Sequence, residues 1–123
     1  MIKETNNNKE NPKEFVMEFL ETFERKDFKS ARSYVSDNFT YVGPTATFDA
    51  AEPYLKYLEH LDLPKAEIKK VVADGHDICV LEELNFGIPS TTMTVSIWFQ
   101  FDGGKISSIR NVFDPRPWLQ QRK

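Results

Sequence analysis

Cysteine and histidine are nearly absent from this chain, and that shortage excludes several chemistries. Cys79 is the single cysteine, so no internal disulfide can form, as expected of a protein in a reducing compartment. His60, His76 and Cys79 are the only soft metal ligands, too few and too poorly spaced for a zinc site. Glycine is also sparse, with five residues, and no phosphate-cradling loop is among the motifs. Neither a serine nucleophile elbow nor a metal-spaced set of carboxylates occurs, so no cofactor is expected. Net charge is −3 with both signs dispersed, and no basic block could track nucleic-acid phosphates. No apolar run approaches a membrane span. Met1 to Asn11 is polar, contains Asn6-Asn7-Asn8 and lacks the apolar stretch of a secretory signal. The expectation is a cytoplasmic protein with a flexible segment over 1–11 and one domain over 12–123.

What the chain does have is phenylalanine. Ten Phe in 123 residues suggest a bulky core or an aromatic-lined cavity. A domain of this size buries about two-thirds of its unfolded surface and needs no staples. Asn11-Pro12-Lys13-Glu14 reads as a helix start, with a capping Asn, a Pro at the first position and a Glu three residues on. Phe15, Phe19 and Phe23 then form an apolar stripe with Val16 and Leu20. Asp27 is placed to cap a second short helix through Val35, ended by Ser36-Asp37-Asn38. Phe39 to Val42 reads as a strand closed by Gly43-Pro44, and Asp49-Ala50-Ala51-Glu52 as the start of a helix to about His60.

The remainder reads as β structure. Strands are expected over 66–73, 78–86, 91–101 and 105–113, with turns at Asp74-Gly75-His76-Asp77 and Asp102-Gly103-Gly104 and a loop at Gly87-Ile88-Pro89-Ser90. Helices first and hairpins last imply an α+β fold with an antiparallel sheet. Along the longest strand, Met93, Val95, Ile97, Phe99 and Phe101 share one face, which must meet the helices. Thr92, Thr94, Ser96, Trp98 and Gln100 share the other, where Trp98 marks either a dimer contact or a lone exposed ring.

The hairpin Phe99 to Ile106, the ending Ile109 to Trp118 with its Asp114-Pro115-Arg116-Pro117, and Lys26-Asp27-Phe28 between the first helices occur in an order that resembles the SnoaL-like proteins. These belong to the nuclear transport factor 2-like superfamily, and the likeness covers roughly residues 12 to 118. It implies a cone, with N-terminal helices packed in the concavity of a strongly curved sheet around a deep pocket, and frequently a homodimer through the outer sheet face. The superfamily hosts isomerases, cyclases, hydrolases and non-catalytic binders, so fold alone does not assign activity. A ketosteroid isomerase of this fold carries a Tyr on the first helix, an Asp before a Pro after the first strand and an Asp on the long strand. The matching positions here are Phe19, Gly43 and Ile97, so that machinery is missing. The same matching points Phe19, Tyr41, Ile97, Ile109, Asn111 and Phe113 into the pocket.

Few polar residues remain as candidates. Tyr41 shares the inward face with Phe39 and can donate a hydrogen bond, unless it is simply a core tyrosine. Of Glu82 and Glu83, strand phase with Ile78, Val80, Leu84 and Phe86 favours Glu82 as inward. A carboxyl in an apolar cone would have a raised pKa and could act as acid or base. The alternatives are a solvated strand end or a pair with Arg110. Asn111 can orient a ligand or water. Arg116 either attracts an anion or pairs with Asp114. The expected catalytic pair is therefore Tyr41 and Glu82, with Phe19, Tyr57, Ile97, Phe99, Asn111, Phe113 and Trp118 as ligand contacts. The expected partner is a small apolar or mixed-polarity molecule. The competing expectation is a non-catalytic dimeric binding module of the same fold.

Overall fold

A computed structural model describes residues 11–61, 64–86 and 92–116. Helix α1 spans Pro12–Glu24, α2 Phe28–Arg32 and α3 Ala51–His60; the strands are β1 Val35–Val42, β2 Thr47–Phe48, β3 Ala66–Asp74, β4 Asp77–Asn85, β5 Thr92–Asp102 and β6 Lys105–Phe113. The start of α1 forms as its sequence predicts: the Asn11 side chain accepts from the Glu14 amide at 3.2 Å, with Pro12 in the first turn. Asp27 caps α2 through Ser30, with the amide at 3.1 Å and the hydroxyl at 2.7 Å.

The joint between α1 and α2 is sharp. Lys26 takes the left-handed conformation with φ 59°, and the Asp27 amide returns to the Thr22 carbonyl at 2.8 Å. This closes the first helix within one residue and starts the second. Phe23 and Phe28 meet across the joint, with ring centroids 5.9 Å apart.

The second helix is shorter than its sequence predicts. It ends at Arg32, and Ser36-Asp37-Asn38 belongs to β1 instead of a helix end. Pairing with β6 explains the difference: Val35 lies opposite Ile106, whose amide donates to the Tyr34 carbonyl at 2.9 Å. Arg32 reinforces the exit by donating to the Val35 carbonyl at 3.1 Å while bridging Asp37 and Glu52, each at 2.6 Å. Helix α3 has Ala50 at its cap position and no side-chain cap bond, so Asp49 does not play the expected capping role.

The sheet order is β2-β1-β6-β5-β4-β3. Strands β3 to β6 form an antiparallel meander, but β1 runs parallel to β6. The sheet is thus mixed, a correction to the expectation of an antiparallel one. Tight hairpins announce antiparallel neighbours, whereas a parallel pair joined through distant elements leaves no local turn signal. The β5–β6 hairpin closes on Gly103 and Gly104, both at positive φ (61° and 83°), between paired Asp102 and Lys105. Register shifts interrupt β1–β6, β3–β4 and β5–β6, and such bulges bend a sheet.

The long strand alternates as its sequence predicts, with Met93, Val95, Ile97, Phe99 and Phe101 all buried. Helix α1 lies against this face. Phe19 is fully buried and touches Phe23, Tyr34 and Phe99, with centroids 4.8, 5.9 and 6.3 Å away. Phe15 packs on Tyr34 and Phe101 at 4.9 and 5.3 Å. The aromatic stripe of α1 therefore fills the end of the concavity nearest the β5–β6 hairpin.

Candidate functional site

The other end of the concavity is not filled. A cavity of about 380 Å³ lies between α3, the α1–α2 joint and the inner faces of β1 and β3 to β6. Its apolar wall includes Leu20, Phe23, Phe28, Leu58, Leu84, Met93, Val95, Ile97, Phe99, Ile109 and Phe113. Glu24, Lys26 and Lys65 border it and are exposed, which marks the open side. Six further residues bring hydrogen-bonding chemistry: Tyr41, Thr45, Tyr54, Tyr57, Glu82 and Asn111.

Strand register places these groups. Glu82 sits on β4 opposite Ile68 of β3 and Val95 of β5, and Val95 in turn faces Phe113 of β6. That inner row is apolar apart from Glu82. The β3 bulge falls beside it, between Ile68 and Lys70. Arg110, a possible partner in the sequence, belongs to the outer face, where its guanidinium lies 5.7 Å from the Trp98 ring centre. Among the described residues no ion pair reaches Glu82. Burial without a compensating charge pushes its carboxyl up to about 7.

Tyr41 is 6 % exposed, with its ring 4.8 Å from that of Tyr54 and 6.0 Å from that of Phe48. Asn111 Nδ2 donates to Tyr41 Oη at 3.1 Å. Burial drives the Tyr41 phenol up to about 12, with a further push from Tyr57, against a small opposing effect of the Asn111 bond. Tyr54 is also raised well above the ordinary range, first by burial and then by Tyr41 and Glu82. Both phenols therefore stay protonated and can donate hydrogen bonds, but neither can serve as a base near neutrality. Of these three groups, Glu82 is the one that changes charge near neutrality.

Gly43 leaves the space that the Tyr41 hydroxyl occupies. A Cβ at Gly43 would stand 2.5 Å from Tyr41 Oη and 3.0 Å from Cζ. The ring is pinned between Phe48 and Tyr54, so it has little room to yield. The position that carries an Asp in the isomerase pattern is thus one where this chain's Tyr41 requires the absence of a side chain.

Tyr41, Tyr57, Glu82, Ile97, Phe99, Asn111 and Phe113 all border the cavity. Phe19 does not: it is spent on the packed end, a correction to its expected place in the wall. Trp118 lies outside the described residues. Arg116 pairs with Asp114 through contacts of 2.6 to 3.0 Å, the second of the two roles its sequence allowed. Tyr54 is not singled out by the sequence, and Gly43 enters there only as the position matching an isomerase Asp. Tyr54 looks like any apolar position of an amphipathic helix, and the need for Gly43 arises from a side chain that approaches it in space. Among the described residues no cluster of His, Cys, Asp or Glu could hold a metal ion, and no helix is long and apolar enough to cross a membrane.

A helical lid over one end of a curved mixed sheet, with an unfilled cavity at the other, defines the nuclear transport factor 2-like class of α+β folds. Within it, this chain belongs to the SnoaL-like domain family, whose model matches residues 16–109. A nuclear transport factor 2-like protein of unknown function from Cytophaga hutchinsonii is 27 % identical, with TM-score 0.79 over 88 % of this chain and 94 % of that one. An LEH-like epoxide hydrolase from M. tuberculosis is 19 % identical, with TM-score 0.71 over 89 % and 87 %. A de novo designed protein with a curved β-sheet is 22 % identical, with TM-score 0.75 over 90 % and 97 %. No curated protein matches the sequence.

The raised Glu82 carboxyl has a consequence for stability. Below about pH 4.5 the carboxyl is protonated in both folded and unfolded chains. Between pH 4.5 and 7 the unfolded chain releases its proton while the folded one retains it, so rising pH favours unfolding. Above pH 7 the loss is complete, at up to about 3 kcal/mol. Glu82→Gln is expected to match wild type near pH 4.5 and to exceed it by up to about 3 kcal/mol near pH 8. Urea unfolding across that range measures the difference, and a gap that does not widen with pH contradicts it.

Proposed function

We propose that the chain binds a small, largely apolar molecule in the cavity and performs acid–base chemistry on it through Glu82. The observation that supports this reading is the Glu82 carboxyl, raised to about 7 in an otherwise apolar row of the cavity wall. Near neutrality such a group has comparable acid and base populations, the condition under which proton transfer is most effective. Tyr41 would hold a polar atom of the ligand, and Asn111 would orient Tyr41. The reaction class is proton transfer within the ligand or onto a leaving group, as in isomerisation, cyclisation or hydrolysis. A thermal-shift screen of apolar ketones, lactones and phenols tests it. Wild type and Glu82→Gln are expected to bind the same ligands, with turnover confined to wild type and lost by at least about a hundredfold in the variant. Equal turnover in both proteins would refute the assignment of Glu82.

A second reading rests on the opposite face of the sheet. Val72, Cys79, Trp98, Arg110 and Val42 lie in one row across five strands, and Leu81, Ser96 and Val112 lie in the next. Val112 is 69 % and Val72 51 % exposed, while Trp98 remains 38 % exposed although its Nε1–H donates to Asp77 at 2.8 Å. Such a band of apolar side chains supports a homodimer through the outer sheet face. This reading is compatible with an active cavity or with a passive one. Light scattering should give twice the chain mass for wild type and the single mass for Trp98→Asp. A monomeric wild type at tens of micromolar would remove the dimer.

A further inference from the structure

Tyr54, Tyr57, Leu58 and Leu61 recur at helical spacing along α3 and its C-cap, and all four border the cavity. The chain has four tyrosines, and three of their hydroxyls have a protein partner. Tyr34 Oη donates to Glu18 at 3.4 Å, Tyr41 Oη meets Asn111 at 3.1 Å and Tyr57 Oη meets Thr45 Oγ1 at 3.4 Å. The Tyr54 hydroxyl has no partner among the described residues, although Tyr54 is only 3 % exposed. Two unpartnered polar atoms are sealed from any solvent, Ser36 Oγ and Asn111 Oδ1, and the Tyr54 hydroxyl is not among them. The space it faces is the cavity.

The ring that carries this hydroxyl is held on several sides. Its centroid lies 4.9 Å from that of Phe39, 4.8 Å from that of Tyr41 and 6.3 Å from that of Phe48. The direction of the hydroxyl is therefore set before any ligand arrives. A phenylalanine would fill the same space without burying a polar atom. Buried polar groups are paired in folded proteins, with another group, water or a ligand, and an unpaired one costs stability. The hydroxyl thus serves something that the free fold does not contain.

Its chemistry defines the complement. A phenol is a stronger donor than acceptor, because the ring draws on the oxygen lone pairs, so the missing partner is an acceptor. Glu82 is near enough for its charge to act on the Tyr54 phenol, yet no hydrogen bond joins the two. An anionic acceptor would be repelled whenever Glu82 is ionised, and an ammonium has no acceptor to offer. Resting on the reading that the cavity binds small molecules, we propose that Tyr54 is a ligand-anchoring donor, which takes an uncharged carbonyl or ether oxygen of the bound molecule on the Glu82 side of the cavity. Tyr54 thereby adds a second anchor to Tyr41.

The test uses the full chain and two probes of nearly equal shape, acetophenone and α-methylstyrene, in which a carbonyl oxygen is replaced by a methylene group. Protein-observed NMR titration gives both affinities. Tyr54→Phe is expected to weaken acetophenone about five- to tenfold and to leave α-methylstyrene within about twofold. The urea midpoint of Tyr54→Phe should equal or exceed that of wild type, since no protein bond is lost; a lower midpoint would show that the hydroxyl serves the fold and would overturn the proposal. Infrared spectra of acetophenone with an isotope-labelled carbonyl provide a measurement on wild type itself. The bound stretch should lie below that of the ketone in a hydrocarbon solvent, and the difference should shrink in Tyr54→Phe. An unshifted stretch in wild type, or acetophenone affinity unchanged in Tyr54→Phe, would overturn the anchor while leaving the cavity a binding site. Equal weakening of both probes would assign Tyr54 to packing and overturn it as well. Failure of both probes to bind wild type would overturn the anchor and the binding reading together.

Discussion

The contact between Phe19 of α1 and the Phe99 row of the sheet decides where this protein is solid and where it is hollow. Phe15, Phe19, Tyr34, Phe99 and Phe101 form a continuous aromatic plug at one end of the concavity. The sharp turn at Lys26 then directs the chain into α2 before it covers the other end. Five strands therefore keep an inner face that no helix fills, and the cavity is what remains.

Desolvation follows from that shape and sets the chemistry. Burial in the same apolar wall raises Glu82 and keeps Tyr41 and Tyr54 protonated. Glu82 is left able to exchange a proton near neutrality, while Tyr41 and Tyr54 keep theirs and serve as hydrogen-bonding groups. The division of roles needs no charged partner. It results from burial of a carboxyl on a strand whose neighbours are Ile68 and Val95. Holding that carboxyl in place costs stability above pH 7, which is a common property of functional sites.

Much of this was legible in the residues, and the exceptions have physical causes. The period-two alternation from Met93 to Phe101 assigned the inner face, and strand phase chose Glu82 over Glu83 for it. The Asn11 and Asp27 caps marked two helix starts because their bonds are local. What escaped the sequence is whatever depends on distant pairing. Residues 35–38 look like a helix end but become strand by pairing with β6. Phe19 looks like a cavity wall by family position, yet its contacts with Phe23, Tyr34 and Phe99 commit it to the plug. Gly43 gains its meaning only once the Tyr41 hydroxyl arrives beside it.

Family membership is consistent with this picture but does not complete it. The same backbone serves an epoxide hydrolase and a designed protein, so the reaction must be read from the wall of the cavity. In this chain the polar part of the wall is Glu82, the Tyr41–Asn111 pair, and the hydroxyls of Thr45, Tyr54 and Tyr57. The account therefore stands on the ionisation of a single carboxyl. Carbon-detected NMR titration of the Glu82 side chain, assigned with Glu82→Gln, measures it directly. A midpoint near 7 is predicted, and a midpoint near 4.5 would show a solvated, ordinary glutamate and contradict the account.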